Sequence, residues 1–275
     1  MKIDSHHHFW NYDPARYSWM NDDMAVLKRD YQPDDLLLEI KKVGIDGVVS
    51  VQADQSILET DELLEHAARN DFIRGVVAWF PLADPAVDEV LTEYSSNHWL
   101  KGVRHVVQDE PDDRFILIEA FNEGIRKLGK FDLVYDILIY ERQLAASIEF
   151  VDLHPNQSFV LDHVAKPRIG EGVMDPWKEQ MFEMARRENI TCKLSGLATE
   201  ADWSKWTDGE LSPYMEIALE AFGPRRLMFG SDWPVARLAV EYGCWVDLCR
   251  KFISGLSPDE QKAIEGGNAI RVYNL

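Results

Sequence analysis

Eight short apolar runs, each followed by an amphipathic stretch, recur along the 275 residues of this chain. The runs are rich in Val, Ile and Leu and cover 2–9, 47–53, 73–82, 101–108, 131–140, 158–165, 190–197 and 226–232. Helical patterns fill the intervals at 34–43, 59–69, 87–95, 116–128, 141–153, 176–188 and 213–222, and continue at 240–253 and from Ser257 onward. Pro33-Asp34-Asp35, Asp175-Pro176 and Ser212-Pro213 read as helix starts, and Gly44, Asn70, Asn189 and Gly223 as helix stops. Near-continuous apolar strands belong to parallel sheets covered by helices, and eight strand–helix units are the count of a closed barrel. The expected fold is therefore α/β: a single (β/α)8 TIM barrel forming one domain over 1–275, with an extra C-terminal helix. Residues 10–32 form a long loop after the first strand. Loops after strands build the catalytic mouth of such barrels, so this one is expected to act as a lid.

Composition narrows the partners. With 46% hydrophobic residues the chain can bury one large core, and a net charge of −19 opposes nucleic acid and anionic membrane surfaces. Cys192, Cys244 and Cys249 are odd in number and lack metal-ligand spacing, which favours a reducing, cytoplasmic setting. No apolar run reaches membrane-spanning length, and the first residues lack the apolar core of a signal peptide. A small-molecule substrate remains as the expected partner, with no nucleic acid and no membrane. Monomer and homo-oligomer stay open.

Polar residues inside these runs locate the chemistry. In Lys2-Ile3-Asp4-Ser5-His6-His7-His8-Phe9, strand alternation places Asp4, His6 and His8 on one face and Ser5 and His7 on the other. Two imidazoles so spaced can grip a divalent metal ion. His163 ends the sixth run and Asp232 the eighth, Asp136 lies in the fifth, Arg104 and His105 in the fourth, and Lys193 and Ser195 in the seventh. Ionisable groups within an apolar barrel are costly unless they line its catalytic end. First and last strands are neighbours in a closed barrel, which would bring the histidine pair to Asp232.

Particular stretches carry a family resemblance: Ile3-Asp-Ser-His-His-His-Phe-Trp10, Val51-Gln-Ala53, Gly102-Val-Arg-His-Val-Val-Gln-Asp-Glu-Pro111, Leu161-Asp-His-Val-Ala-Lys-Pro167, Cys192-Lys-Leu-Ser-Gly196 and Phe222-Gly-Pro-Arg-Arg-Leu-Met-Phe-Gly-Ser-Asp-Trp-Pro234. In this ordered set the chain resembles the amidohydrolase superfamily, and within it the sugar-lactonase branch that also contains 2-pyrone-4,6-dicarboxylate hydrolases. The resemblance implies a hydrolase of a sugar-acid lactone, of L-fucono-1,5-lactone or L-rhamnonolactone type. Asp232 would activate water, with His163, His6 and His8 beside it. His6, His8 and Asp232, with His163 as a further candidate, would hold one divalent metal ion, zinc by ligand type; a reaction without required metal stays open. The fifth run, Phe131–Tyr140, has neither histidine nor lysine, which argues against a two-metal centre.

Arg104 resembles a substrate-binding arginine, its fork suited to a lactone oxygen or a carboxylate. Gln52, Trp79, His105 and Lys166 are further candidates for hydroxyl and ring contacts, and Lys193 and Ser195 for orienting Asp232. Two alternatives are a pyrone-dicarboxylate hydrolase and a metal-dependent decarboxylase. Both substrates need converging cations, of which only Arg104 is clearly placed, with Arg16, Arg168 and Arg237 as loop candidates.

Overall fold

The structure is a computed structural model that describes all residues, 1–275. Eight parallel strands, β1 (Ile3–His7), β2 (Gly47–Val51), β3 (Ile73–Ala78), β4 (Leu100–Val106), β5 (Val134–Leu138), β6 (Phe159–Leu161), β7 (Ile190–Leu194) and β8 (Leu227–Phe229), form one sheet in chain order. The ends of the sheet meet where His8 N donates to Trp233 O at 2.7 Å and Asp232 N donates to His6 O at 2.8 Å. This nearly closes a (β/α)8 barrel. The helices are α1 (Pro33–Val43), α2 (Ile57–Arg69), α3 (Val87–Tyr94), α4 (Glu119–Leu128), α5 (Leu144–Leu153), α6 (Trp177–Ala185), α7 (Asp208–Phe222) and α8 (Tyr242–Ile253). None is long and apolar enough to cross a membrane.

Local sequence explains the helix ends. Pro33 opens α1 behind a Gln32–Asp35 capping box, and Gly44 closes it in a left-handed conformation. The Ser56 hydroxyl caps α2 by accepting from Glu59 N. Inside the barrel, Ile3, Val49, Val51, Val77, Val134, Val160 and Met228 pack together with Ala269 and Tyr273. The expected C-terminal helix is broken into α9 (Pro258–Lys262), a π-helical turn at Ala263–Gly267 and α10 (Asn268–Tyr273). The turn lets the Gly266 backbone pass against residue 1, where a β-carbon would lie 2.4 Å from the Met1 carbonyl oxygen. Tyr273 thereby reaches into the barrel from below.

The strands are shorter than the apolar runs, because β6 and β8 give way to turns that carry the site. The 10–32 loop is folded against the second βα unit. Tyr17 Oη donates to Glu59 at 3.1 Å, and the Arg16 guanidinium bonds Asp54 and Glu62.

Candidate active site

Two backbone departures aim the site's side chains. After β6, His163, Val164, Ala165 and Lys166 have φ of 52°, 47°, 60° and 47°. Each left-handed L-residue costs about 1–2 kcal/mol, a strain that persists only where surroundings enforce it. Here Val164 and Ala165 are fully buried, and Trp177 Nε1 donates to Val164 O at 2.7 Å. His163 Nδ1 lies 2.8 Å from Ser195 Oγ. Gly196, itself at φ 68°, leaves room for that ring, since a β-carbon there would sit 2.6 Å from His163 Nδ1. The turn cancels strand alternation, so neighbours Asp162 and His163 both serve the site. Asp232 likewise follows the end of β8 in a left-handed conformation, φ 58°.

β1 departs from simple alternation too. Its pairing with β2 shifts register between Asp4 and His7, so Ile3 joins the barrel interior while Asp4 leaves the face shared by His6 and His8. Asp4 accepts from Ser231 N at 2.8 Å and from Tyr242 Oη on α8 at 3.0 Å. It joins β1 to the β8 turn and takes no part in a metal grip. Burial pushes its carboxyl up to about 6.

His6, His8, His163 and Asp232 converge. His6 Nε2 and His8 Nε2 are 3.2 Å apart, and Asp232 Oδ1 lies 3.7, 3.4 and 3.8 Å from the Nε2 atoms of His6, His8 and His163. His8 Nδ1 sits 2.8 Å from Val51 O, so it carries the proton and Nε2 presents its lone pair. Burial lowers all three imidazoles, His163 to about 4, and they are neutral at neutral pH. Burial alone would raise the Asp232 carboxyl, but His163, His8 and Lys166 outweigh it and hold it below the usual carboxylate range. Neutral imidazole nitrogens beside an ionised carboxylate suit a divalent ion such as zinc, and the nitrogen and oxygen atoms of His6, His8 and Asp232 lie close enough to share one.

A buried charge network supports His6 from below. Lys193 Nζ lies 2.6 Å from Asp136 Oδ2, 3.0 Å from Asp162 Oδ1 and 3.2 Å from His6 Nδ1. Arg104 Nη1 pairs with Asp162 Oδ2 at 3.0 Å, and its other arm donates to the Gln52 backbone and side chain. Against its own desolvation, Asp162 is held well down by Lys193, His6 and Arg104. Burial raises Asp136 to about 6 despite Lys193 and a hydrogen bond from Tyr273 Oη at 2.8 Å. A second metal ion beside His6 would face the ammonium and the guanidinium at close range.

Above this floor lies a cavity of about 580 Å³, a volume suited to a small ligand. His8, Arg104, His163, Lys166 and Asp232 line it, and His6 is buried behind His8. Gln52 is also buried, holding Arg104 rather than facing the cavity. Trp79 and His105 lie outside the lining and bond each other, Trp79 Nε1 to His105 Nδ1 at 3.3 Å. The cause is pleat phase: β3 ends at Ala78, and His105 points oppositely from Arg104, towards Glu110 and Phe115. Arg16 reaches the cavity from the 10–32 loop, whereas Arg168 pairs with Glu141 and Arg237 with Tyr31. Lys193 contacts His6 rather than Asp232, and Ser195 contacts His163. Asp162 and Glu200 were missed in the sequence. Alternation along a strand sets Asp162 on the face opposite His163, and Glu200 lies in a short loop helix where no pattern singles it out.

The amidohydrolase family matches residues 3–275. An L-fucono-1,5-lactonase of Burkholderia multivorans is 40% identical, covering 100% of this chain and 96% of that protein. An L-fucono-1,5-lactonase of Burkholderia ambifaria is 33% identical, with the same 100% and 96% coverage. The crystal structure of a Burkholderia multivorans amidohydrolase with bound zinc superposes with a TM-score of 0.97 at 40% identity, covering 100% of this chain and 99% of that one.

Proposed function

The chain belongs to the amidohydrolase family, and from that premise we propose that it hydrolyses a sugar-acid lactone of the L-fucono-1,5-lactone or L-rhamnonolactone type. The observation that carries this reading is Asp232, an ionised carboxylate within 3.8 Å of three neutral imidazoles at the floor of a sugar-sized cavity. The two L-fucono-1,5-lactonases at 40% and 33% identity support it.

The chemistry needs a water deprotonated as it attacks the carbonyl carbon, and a proton for the departing ring oxygen. Asp232 Oδ1 accepts the first proton and returns it to the ring oxygen as the C–O bond breaks, so the acid and base roles fall to one group. Arg104 offers a fixed cation beside the developing oxyanion. His163 stays neutral and oriented by Ser195. His6, His8 and Asp232, with His163 adjacent, would hold a divalent ion, which when bound supplies a lowered pKa for water and a polarised carbonyl.

A pyrone dicarboxylate is the poorer fit. Asp54, Asp109, Glu200 and Asp232 line the cavity against Arg16, Arg104 and Lys166, and Arg16 is already engaged by Asp54 and Glu62. Neutral six-carbon aldonolactones, L-fucono- and L-rhamnono- forms foremost, should therefore be opened at higher kcat/KM than 2-pyrone-4,6-dicarboxylate. A pH-indicator assay across such a panel reads the proton released without carbon dioxide. Preference for the dicarboxylate, release of carbon dioxide or inertness to every lactone would refute the proposal.

Metal content is a separate expectation. Elemental analysis should give no more than one equivalent per chain, because Lys193 and Arg104 flank His6 where a second ion would sit. If the ion is catalytic, chelation and His6→Ala should abolish activity together; two equivalents per chain would contradict the reading.

A further inference from the structure

Lys166 and Glu200 are oppositely charged residues of the cavity lining, and neither side chain has a hydrogen-bond partner within the protein. Their charged ends are 3.9 Å apart, too far for a hydrogen bond, although the side chains retain only 17% and 20% of their exposure. A carboxylate so enclosed wants donors. Burial indeed raises the Glu200 carboxyl, with Asp232 and Glu141 adding to the effect and Lys166 opposing it. The two residues come from different segments, Lys166 from the left-handed turn after β6 and Glu200 from the loop after β7. Lys166 is steadied over the Tyr140 ring, 5.4 Å from its centroid. A third unpartnered atom lies in the same lining: Gln108 Oε1 is buried and accepts no hydrogen bond.

Resting on the proposed lactone hydrolysis, we infer that Lys166 and Glu200 form a hydroxyl-recognition clamp that selects the stereochemistry of the sugar ring. A hydroxyl both donates and accepts one strong hydrogen bond, and here an acceptor and a donor face the cavity side by side. The oxygen would accept from Lys166 Nζ while its proton goes to Glu200. A neutral polyol satisfies both charges, whereas a carboxylate would bond Lys166 and be repelled by Glu200. The ester group falls to Arg104 and Asp232. An epimer, with its hydroxyl aimed elsewhere, leaves both groups desolvated and unpaired, the situation in which enzymes discriminate most strongly.

The test is a substrate–variant cycle. L-Fuconolactone and its analogues deoxygenated at single ring positions are assayed with the wild type, Glu200→Gln and Lys166→Met. At one ring position, loss of the hydroxyl should lower wild-type kcat/KM by about tenfold to a hundredfold. Glu200→Gln should impose a similar loss on the parent lactone and no further loss on that one analogue, and the epimer at that position should become nearly as good a substrate as the parent. Lys166→Met should single out the same position, which separates recognition from a fault in one variant's folding. Losses that multiply independently at every ring position, or epimer ratios unchanged in both variants, overturn the clamp while leaving lactone hydrolysis standing. A wild type that opens no lactone overturns the reaction and this inference with it.

Discussion

Asp232→Asn should lower kcat/KM on the best lactone by about 10²–10⁴-fold, with thermal unfolding close to that of the wild type. The amide keeps the shape of the side chain but cannot accept a proton from water. Its environment also sets the pH profile. The Asp232 carboxyl is held below its ordinary range, so the base stays ionised as pH falls through the mildly acid region. His163, lowered to about 4, stays neutral over the same interval. Wild-type kcat/KM should therefore hold between about pH 8 and 5 and fall only near pH 4 and below, as these groups take up protons. A variant keeping more than a tenth of the native rate would reduce Asp232 to a structural part.

Lys193→Met should destabilise the fold by about 3–5 kcal/mol, the cost of leaving a buried charge without its partner. Lys193, Asp136 and Asp162 are all fully buried, and the ammonium is within 3.0 Å of both carboxylates. Its removal leaves Asp162 with Arg104 and the His6 ring, and Asp136 with the Tyr273 hydroxyl alone. Urea unfolding measures the loss. Adding Asp136→Asn should recover part of it, because a neutral amide no longer needs the ammonium. A single variant as stable as the wild type would show that the network contributes nothing net.

Most of the architecture was legible because a (β/α)8 barrel repeats one unit. Each apolar run predicted a strand, each amphipathic stretch a helix, and helix ends such as Pro33 and Gly44 carried their own signals. The lower core followed from the same pattern, since Val49, Val51, Val77 and Val134 are what a strand buried on both faces requires. Less was legible where the chain leaves its strands. Reading 158–165 as strand put His163 at its end and turned Asp162 outward, but β6 stops at Leu161. Asp4, His105 and Trp79 were misplaced for a related reason: each lies at a register shift, a strand end or the opposite face of the pleat.

The sequence by itself determined the barrel and the set of groups that could meet at its mouth, His6, His8, His163 and Asp232, because strand order alone brings the first, sixth and eighth strands to one end. Tertiary structure decided the rest. Four consecutive left-handed residues carry His163 and Lys166 to the cavity, and no propensity predicts Val164 at φ 47°; only burial and the bond from Trp177 hold it there. Arg104, Asp136 and Lys193 come from three different strands and Asp162 from the turn after β6, and only the closed barrel makes them neighbours. Their protonation depends on mutual distance and exclusion of water, quantities that exist only once the chain has folded.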